Sequence, residues 1–210
     1  MNKDSRRAYY DAEPWYQREQ TKDFYQQMEP ANEAIKSLLQ QIITKDSQIL
    51  ETACGGGWLA EFILKLGIKN YIGFDFSETA TLNAQARLKN YKNWVVFRAN
   101  ALSGEVFNWD IDMVIAHQFL HCLIGNDRKT WLSLCFDTLK KENGYLFLSS
   151  MIGIPESLAD SIDPIKKTNK PKNRYYAEDM EIQNEIIQTG FAIEKVIYPE
   201  DNCGIYLAKA

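Results

Sequence analysis

The chain is poor in the residues that build metal sites and disulfide frameworks, with two histidines and four cysteines in 210 residues. Cys54, Cys122, Cys135 and Cys203 form no CxxC pair and no zinc-ligand spacing, which argues against a zinc ribbon or a thioredoxin-like redox motif. Three of them sit in apolar contexts, where a reduced cysteine packs as a small hydrophobe. No apolar run approaches the length of a membrane span, and the opening residues "MNKDSRRAYYDAEPWYQREQ" lack the apolar core of a signal peptide. A cytoplasmic protein without disulfides and without a membrane partner is expected. There is also no basic excess. Lys and Arg number 24 against 28 Asp and Glu, for a formal charge of −4 and a pI near 5.3, so no global attraction to a phosphate backbone exists and no nucleic-acid partner is expected. Internal repeats are absent, and "KKTNKPK" is the nearest approach to a low-complexity tract.

What is present is an alternation of short apolar runs and amphipathic stretches. Hydrophobic residues make up 45% and charged residues 25%, ordinary for a globular protein, and the length suits one domain with a modest cap. The residues from about 8 to 43 read as helices. They are aromatic-rich at Tyr9, Tyr10, Trp15, Tyr16, Phe24 and Tyr25, are interrupted by Pro30, and resume with an apolar face at Ile35, Leu38, Leu39, Ile42 and Ile43. Then "QILETA" predicts a strand and Trp58 to Leu66 a helix. "NYIGFD" predicts a strand before the helix "SETATLNAQARLKN". "NWVVFRAN" and "DMVIAHQ" predict two more strands, "RKTWLSLCFDTLKK" a helix and "NGYLFLSSM" a fifth strand. Strands alternating with helices argue for a parallel sheet covered on both faces. The alternation lapses over residues 153–174, which hold three prolines and no clear period, as in a lid, a binding loop or a disordered segment. A helix stopped by Gly190 and two strands joined by "EDNCG" end the chain in an antiparallel hairpin. Two parts are therefore expected, a helical cap or substrate lid over residues 1–45 and an α/β domain over 46–210 carrying the 153–174 insertion.

The stretch "ILETACGGGWLAEFIL" places three consecutive glycines between a strand and a helix. In a doubly wound sheet this sets a helix N-terminus at the carboxyl edge of the first strand, where its free amides and dipole attract an anionic group. The turn lacks the lysine of a Walker A loop and does not follow the dinucleotide GxGxxG; its spacing is Glu51-x-Ala53-x-Gly55-x-Gly57.

With that spacing, "ETACGGGWLAEFI" resembles the glycine-rich first motif of the class I S-adenosylmethionine-dependent methyltransferases. "YIGFDFSETA", "FRANAL", "DMVIAHQFLHCL" and "LKKENGYLFLSS" resemble that family's later motifs in order, and the likeness runs from about Ile49 to Lys209. It implies a Rossmann-like doubly wound sheet of seven strands, mostly parallel with an antiparallel C-terminal hairpin. It also implies a methyltransferase that uses S-adenosyl-L-methionine and releases S-adenosyl-L-homocysteine.

Carried over by position, the resemblance implies that Gly55 and Gly57 let the backbone approach the methionyl part of the cofactor, with Gly56 at a variable position. Glu51 would organise the turn and the amine end, Asp75 would accept from both ribose hydroxyls, and Phe76 would lie against the adenine. Asn100 and Ala101 would read the adenine edge, Ala116 and His117 would line the methyl-donor end, and Tyr16 would close over the cofactor. Ala53 stands where the family commonly has glycine, which a small residue satisfies if the backbone there keeps a negative φ. Asn100 stands where aspartate is commoner. Read without the resemblance, Asp75 would only cap the following helix, Phe76 would be core and Asn100 an ordinary loop residue.

Methyl transfer from a sulfonium is a direct displacement, so a base is needed only for an acceptor that is protonated at working pH. His117 and His121, four apart in "AHQFLHCL", are the candidates for proton transfer. On a helical turn they would share a face, but no third ligand lies nearby, so no metal is expected. With no basic excess, no appended recognition domain and no Asn-Pro-Pro-Tyr loop after the fourth strand, the acceptor is expected to be a small molecule or short peptide, methylated on N or O. The alternatives are a protein or RNA substrate, or a binder of the same fold that performs no transfer.

Overall fold

A computed structural model describes residues 29–163, 165–169 and 174–210. Among the described residues five helices, α1 (Glu29–Ile42), α2 (Trp58–Lys65), α3 (Glu78–Leu88), α4 (Asn126–Leu139) and α5 (Asp179–Thr189), alternate with nine strands. These are β1 (Gln48–Thr52), β2 (Asn70–Asp75), β3 (Trp94–Arg98), β4 (Met113–His117), β5 (Tyr145–Met151), β6 (Thr168–Asn169), β7 (Arg174–Tyr175), β8 (Ala192–Glu200) and β9 (Cys203–Lys209). Seven strands hydrogen-bond in the order β3-β2-β1-β4-β5-β9-β8, and β6 pairs with β7 in a two-residue ladder. The expected seven-stranded α/β sheet with its antiparallel end is the observed one. The aromatic-rich segment of residues 1–28, Tyr16 included, lies outside the described residues. Of the expected helical cap, α1 is described.

Contacts divide the chain into two units, residues 1–106 and 107–210. In the first, β2 pairs in parallel with β1 on one side and β3 on the other. The strands are apolar runs without alternation because helices cover both faces: Ile49, Leu50, Tyr71 and Phe74 are buried with Leu59 and Ile63 of α2 and Ala84 and Leu88 of α3. Each fully buried Leu or Ile side chain contributes about 1.5–3 kcal/mol by leaving water. In α1, Ile35, Leu38 and Leu39 are buried and Ile42 is half-buried, as is Ile43 just beyond the helix; Pro30 stands in its first turn, where a missing N–H costs nothing.

In the second unit β4 pairs in parallel with β5, and β5 in antiparallel with β9, which also pairs with β8. β9 is buried along six of its seven residues, whereas β8, at the sheet edge, is largely exposed or half-buried. Gly190 ends α5 with φ 119°, the left-handed stop expected there. The 153–174 insertion is not wholly irregular. It contains a 3₁₀ turn, Glu156–Ser161, and β6 and β7 are tied by the antiparallel pairs Thr168–Tyr175 and Asn169–Arg174. Two-residue strands of mixed polarity carry no period that a sequence could display.

Candidate functional site

In the first unit the glycine turn joins the carboxyl end of β1 to the start of α2. Gly55 and Gly57 have φ of 52° and 77°, and Gly56 is not among the positive-φ residues, so among the three glycines the left-handed conformations fall on the two that the spacing singles out. Gly57 is the N-cap of α2 and offers no side-chain cap. A Cβ there would meet Ala84 Cβ at 3.0 Å and Ala84 Cα at 3.1 Å, so a side chain is excluded by the close approach of α3 as well as by φ. Arg87 of α3 donates from Nε to the Gly56 carbonyl at 2.8 Å and lies 3.5 Å from Glu61 of α2. Nothing local in the sequence marks this clamp, since its partners lie 31 residues apart.

Ala53 requires a correction. Its φ is +54°, so the alanine does not escape the glycine requirement through a negative φ; it occupies the left-handed region at a cost of about 1–2 kcal/mol. Replacing Ala53 by glycine should remove that strain against about 0.4–1 kcal/mol of added unfolded-state entropy. Stability should therefore rise by about 0.5–1 kcal/mol, read as a higher urea midpoint; an unchanged or lower midpoint would contradict the account.

Asp75 ends β2 at 4% exposure. Its Oδ2 accepts the Gly55 amide at 3.0 Å and its Oδ1 the Ser77 amide at 2.8 Å. The helix cap is Ser77, whose hydroxyl accepts from Ala80 N at 3.2 Å, so Asp75 is not the N-cap of α3. Instead it ties the glycine turn to the end of the neighbouring strand. Glu51 is buried at 2% and accepts the Tyr71 hydroxyl at 2.5 Å; burial first, and then the charge of Glu51, push the Tyr71 phenol well above its ordinary range. Phe76 is half-buried, with its carbonyl accepting from Arg98 Nε at 3.3 Å. After β3, Asn100 Oδ1 accepts the Leu102 amide at 3.1 Å, and Ala101 is buried. The first unit thus brings Glu51, Ala53, Gly55, Gly57 and Asp75 to the carboxyl ends of two adjacent parallel strands. An uncapped helix N-terminus and a buried acid 20 residues beyond the turn form a donor-and-acceptor set suited to a nucleoside-containing ligand with an anionic tail.

In the second unit Ala116 and His117 end β4. His121 lies beyond, in the 3₁₀ turn Leu120–Cys122, so the two histidines do not share a helical face. Desolvation lowers the His117 pKa to about 4. His121, 1% exposed, is pushed well below the ordinary histidine value by burial and then by the charges of Arg174, Arg128 and His117. Both rings are therefore neutral at neutral pH. Among the described residues no group of three or more His, Cys, Asp or Glu could hold a metal ion. Between the histidines, Gln118 holds φ +54° and donates its amide to Ser149 O at 2.7 Å. Arg128 of α4, 2% exposed, fixes the same turn. Its Nη1 donates to Leu120 O at 2.8 Å while Nε and Nη2 grip Glu185 of α5 at 2.6–3.1 Å. An arginine on the apolar stripe of Trp131, Leu132 and Cys135 was the signal that could have exposed it; Gln118 offered none.

Fold and cradle together define an α/β protein built to hold a nucleotide-like cofactor. Residues 50–146 match the model of the methyltransferase domain family, and the chain carries a class I, S-adenosylmethionine-dependent methyltransferase domain. Its cofactor is accordingly S-adenosylmethionine. No curated protein matches the sequence. Among solved structures, magnesium protoporphyrin IX methyltransferase from Synechocystis PCC 6803, with bound S-adenosylhomocysteine, is 16% identical, with a TM-score of 0.75 and coverage of 99% of both chains. A S-adenosylmethionine-dependent methyltransferase from Methanosarcina mazei is 16% identical, with a TM-score of 0.67 over 82% of this chain and 96% of that one. A protein from Rhodobacter sphaeroides described as a putative zinc-dependent alcohol dehydrogenase is also similar, at 13% identity and a TM-score of 0.68 over 82% of this chain and 88% of that one. Likeness at such identities shows the fold and no more. No described helix is long and apolar enough to cross a membrane.

Proposed function

We propose that the chain transfers a methyl group to an N or O atom of a small molecule or short peptide. The observation that carries the cofactor half of this reading is the Asp75 bridge, which pins the positive-φ glycine turn to the end of β2. When bound, S-adenosylmethionine supplies a sulfonium methyl group open to direct displacement. Gly55, Gly57 and the uncapped first amides of α2 receive the methionyl carboxylate, and Ala53 and Glu51 shape the amine end. Asp75, at the carboxyl end of β2, accepts from the ribose hydroxyls. Phe76 covers the adenine, and Asn100 and Ala101 meet its edge. Tyr16 closes over the cofactor, and Ala116 and His117 line the methyl-donor end. His117 or His121, neutral at pH 7, accepts the proton where the acceptor carries one. Acceptor recognition falls to the parts outside the common core, residues 1–45 and the 153–174 insertion.

The formal charge of −4 supports an acceptor other than a nucleic acid, since it offers no general attraction to a phosphate backbone. Calorimetry with S-adenosylhomocysteine tests the cofactor half. Wild type should bind, and Asp75→Asn should bind about 10- to 100-fold more weakly, the worth of hydrogen bonds to a charged group. Absence of any heat with wild type would overturn the reading. A radiomethyl screen against metabolite and peptide pools then decides between transfer and binding alone.

A further inference from the structure

Side chains two apart on a strand share a face, so Tyr71, Gly73 and Asp75 of β2 point the same way. Glu51 joins them, because β1 pairs with β2 in the register Ile49–Tyr71, Glu51–Gly73. Tyr71 therefore stands opposite Ile49, yet its hydroxyl reaches forward one step of that face and donates to Glu51 Oε2 at 2.5 Å. The ring passes over Gly73 to do so. A Cβ at that glycine would meet the Tyr71 hydroxyl at 2.8 Å, Cε1 at 2.9 Å and Cζ at 3.1 Å, so the phenol fills the space that a side chain at position 73 would take. Both ends of the bond are closed to solvent, Tyr71 at 1% and Glu51 at 2% exposure. Burial first, and then the Glu51 charge, keep the phenol protonated, and Cys54 of the glycine turn acts on it in the same direction. A phenol that keeps its proton donates to the carboxylate, and such a bond favours the ionised carboxylate. Two residues further along, Asp75 holds the Gly55 amide. One face of β2 thus carries both the support of Glu51 and the tie to the turn.

We propose that Tyr71 is a positioning residue for the cofactor: lodged over Gly73, its hydroxyl fixes the Glu51 carboxylate as the buried negative charge that the methionyl ammonium meets. A charge out of water attracts its opposite more strongly than one in water. What the cofactor uses is the charge of Glu51, whatever other bonds the carboxylate oxygens make. Without the phenol that carboxylate would be buried with one donor fewer, which favours its protonated form and loosens its orientation. The role of Gly73 is to leave the phenol its path. That Glu51 serves the amine end rests on the methyltransferase reading; that Tyr71 holds Glu51 does not.

The test is calorimetry on the full chain with two ligands, S-adenosylhomocysteine and 5′-methylthioadenosine, which keeps the adenine, ribose and sulfur but has no amino-acid tail. Tyr71→Phe retains the ring and removes the hydroxyl alone. It should weaken S-adenosylhomocysteine about tenfold, the worth of a hydrogen bond to a charged group, and change 5′-methylthioadenosine less than about twofold. The contrast is one that a merely structural role would not produce, since a damaged cradle loses both ligands together. A second pair of variants asks whether Tyr71 acts through Glu51. Glu51→Gln should also weaken S-adenosylhomocysteine selectively, and adding Tyr71→Phe to it should cost nothing further. Equal loss of both ligands in Tyr71→Phe, no loss of either, or a further tenfold loss on top of Glu51→Gln would each overturn the proposal. Wild type that binds neither ligand would remove the cofactor reading itself. Wild type that binds both, with a Tyr71→Phe variant that does not discriminate between them, would remove the role of Tyr71 alone.

Discussion

Replacing Glu185 by alanine is expected to lower the free energy of unfolding by about 3–5 kcal/mol, the cost of leaving a buried charge without its counter-ion. The guanidinium of Arg128 is 2% exposed and the Glu185 side chain 16%. Three of the four contacts within 3.1 Å that fix this guanidinium go to Glu185, and the fourth goes to Leu120 O. Water cannot readily replace the carboxylate at that depth. Glu185→Gln, which keeps an acceptor oxygen but not the charge, should cost less than the alanine. A double replacement of the pair, Arg128→Met with Glu185→Leu, should recover much of the loss, because neither desolvated charge then remains. Urea denaturation at pH 7 reads all three. A loss under 1 kcal/mol for Glu185→Ala would show that the ion pair is solvated and that α4 and α5 are joined by apolar contact alone. Since the same guanidinium holds Leu120 O, the loss should extend locally to the turn after β4, with faster amide exchange at Leu120–Cys122.

The second large effect is acid lability above the carboxylate range. Both histidines have folded-state pKa values below the unfolded value, His117 at about 4 and His121 well below 6.5. A group whose pKa is lowered on folding binds its proton preferentially in the unfolded chain. The stability it supports is complete above about pH 6.5 and drains away as pH falls toward the folded pKa. For His117 alone the drop between pH 7 and pH 5 is about 2 kcal/mol, from a shift of about 2.5 units at 1.36 kcal/mol each, most of it realised by pH 5; His121 adds in the same direction. Urea midpoints at pH 7, 6 and 5 should therefore fall steeply in wild type. In the double variant His117→Gln, His121→Gln they should stay nearly flat, whatever its absolute stability. Parallel slopes would mean that the rings take up protons as readily in the fold as outside it.

The architecture was legible wherever it depended on local pattern. Apolar runs without alternation between amphipathic helices mark a sheet covered on both faces, Gly190 marks a helix stop, and the terminal hairpin follows from two strands with turn residues between them. The glycine turn was legible too, because left-handed positions at 55 and 57, with one residue between them, need glycine or close to it. Ala53 shows where this ends: its side chain is small enough for either sign of φ, and only the path of the chain decides. Asp75 was placed correctly at the end of its strand, yet its bond to the Gly55 amide joins residues 20 apart. The Arg128–Glu185 pair spans 57 residues. Such pairings depend on how helices settle, which no window of sequence contains.

The clamp on the glycine turn has a further consequence for how the turn can change over evolutionary time. Arg87 takes hold of a carbonyl, that of Gly56, and Asp75 of an amide, that of Gly55; neither grips a side chain. Substitutions at position 56 that leave the backbone path intact therefore leave the clamp intact, and the shape of the loop is held by α3 and the end of β2 together with the glycines at 55 and 57. Change at position 56 is cheap, and change at Gly55, Gly57, Arg87, Ala84 or Asp75 is not.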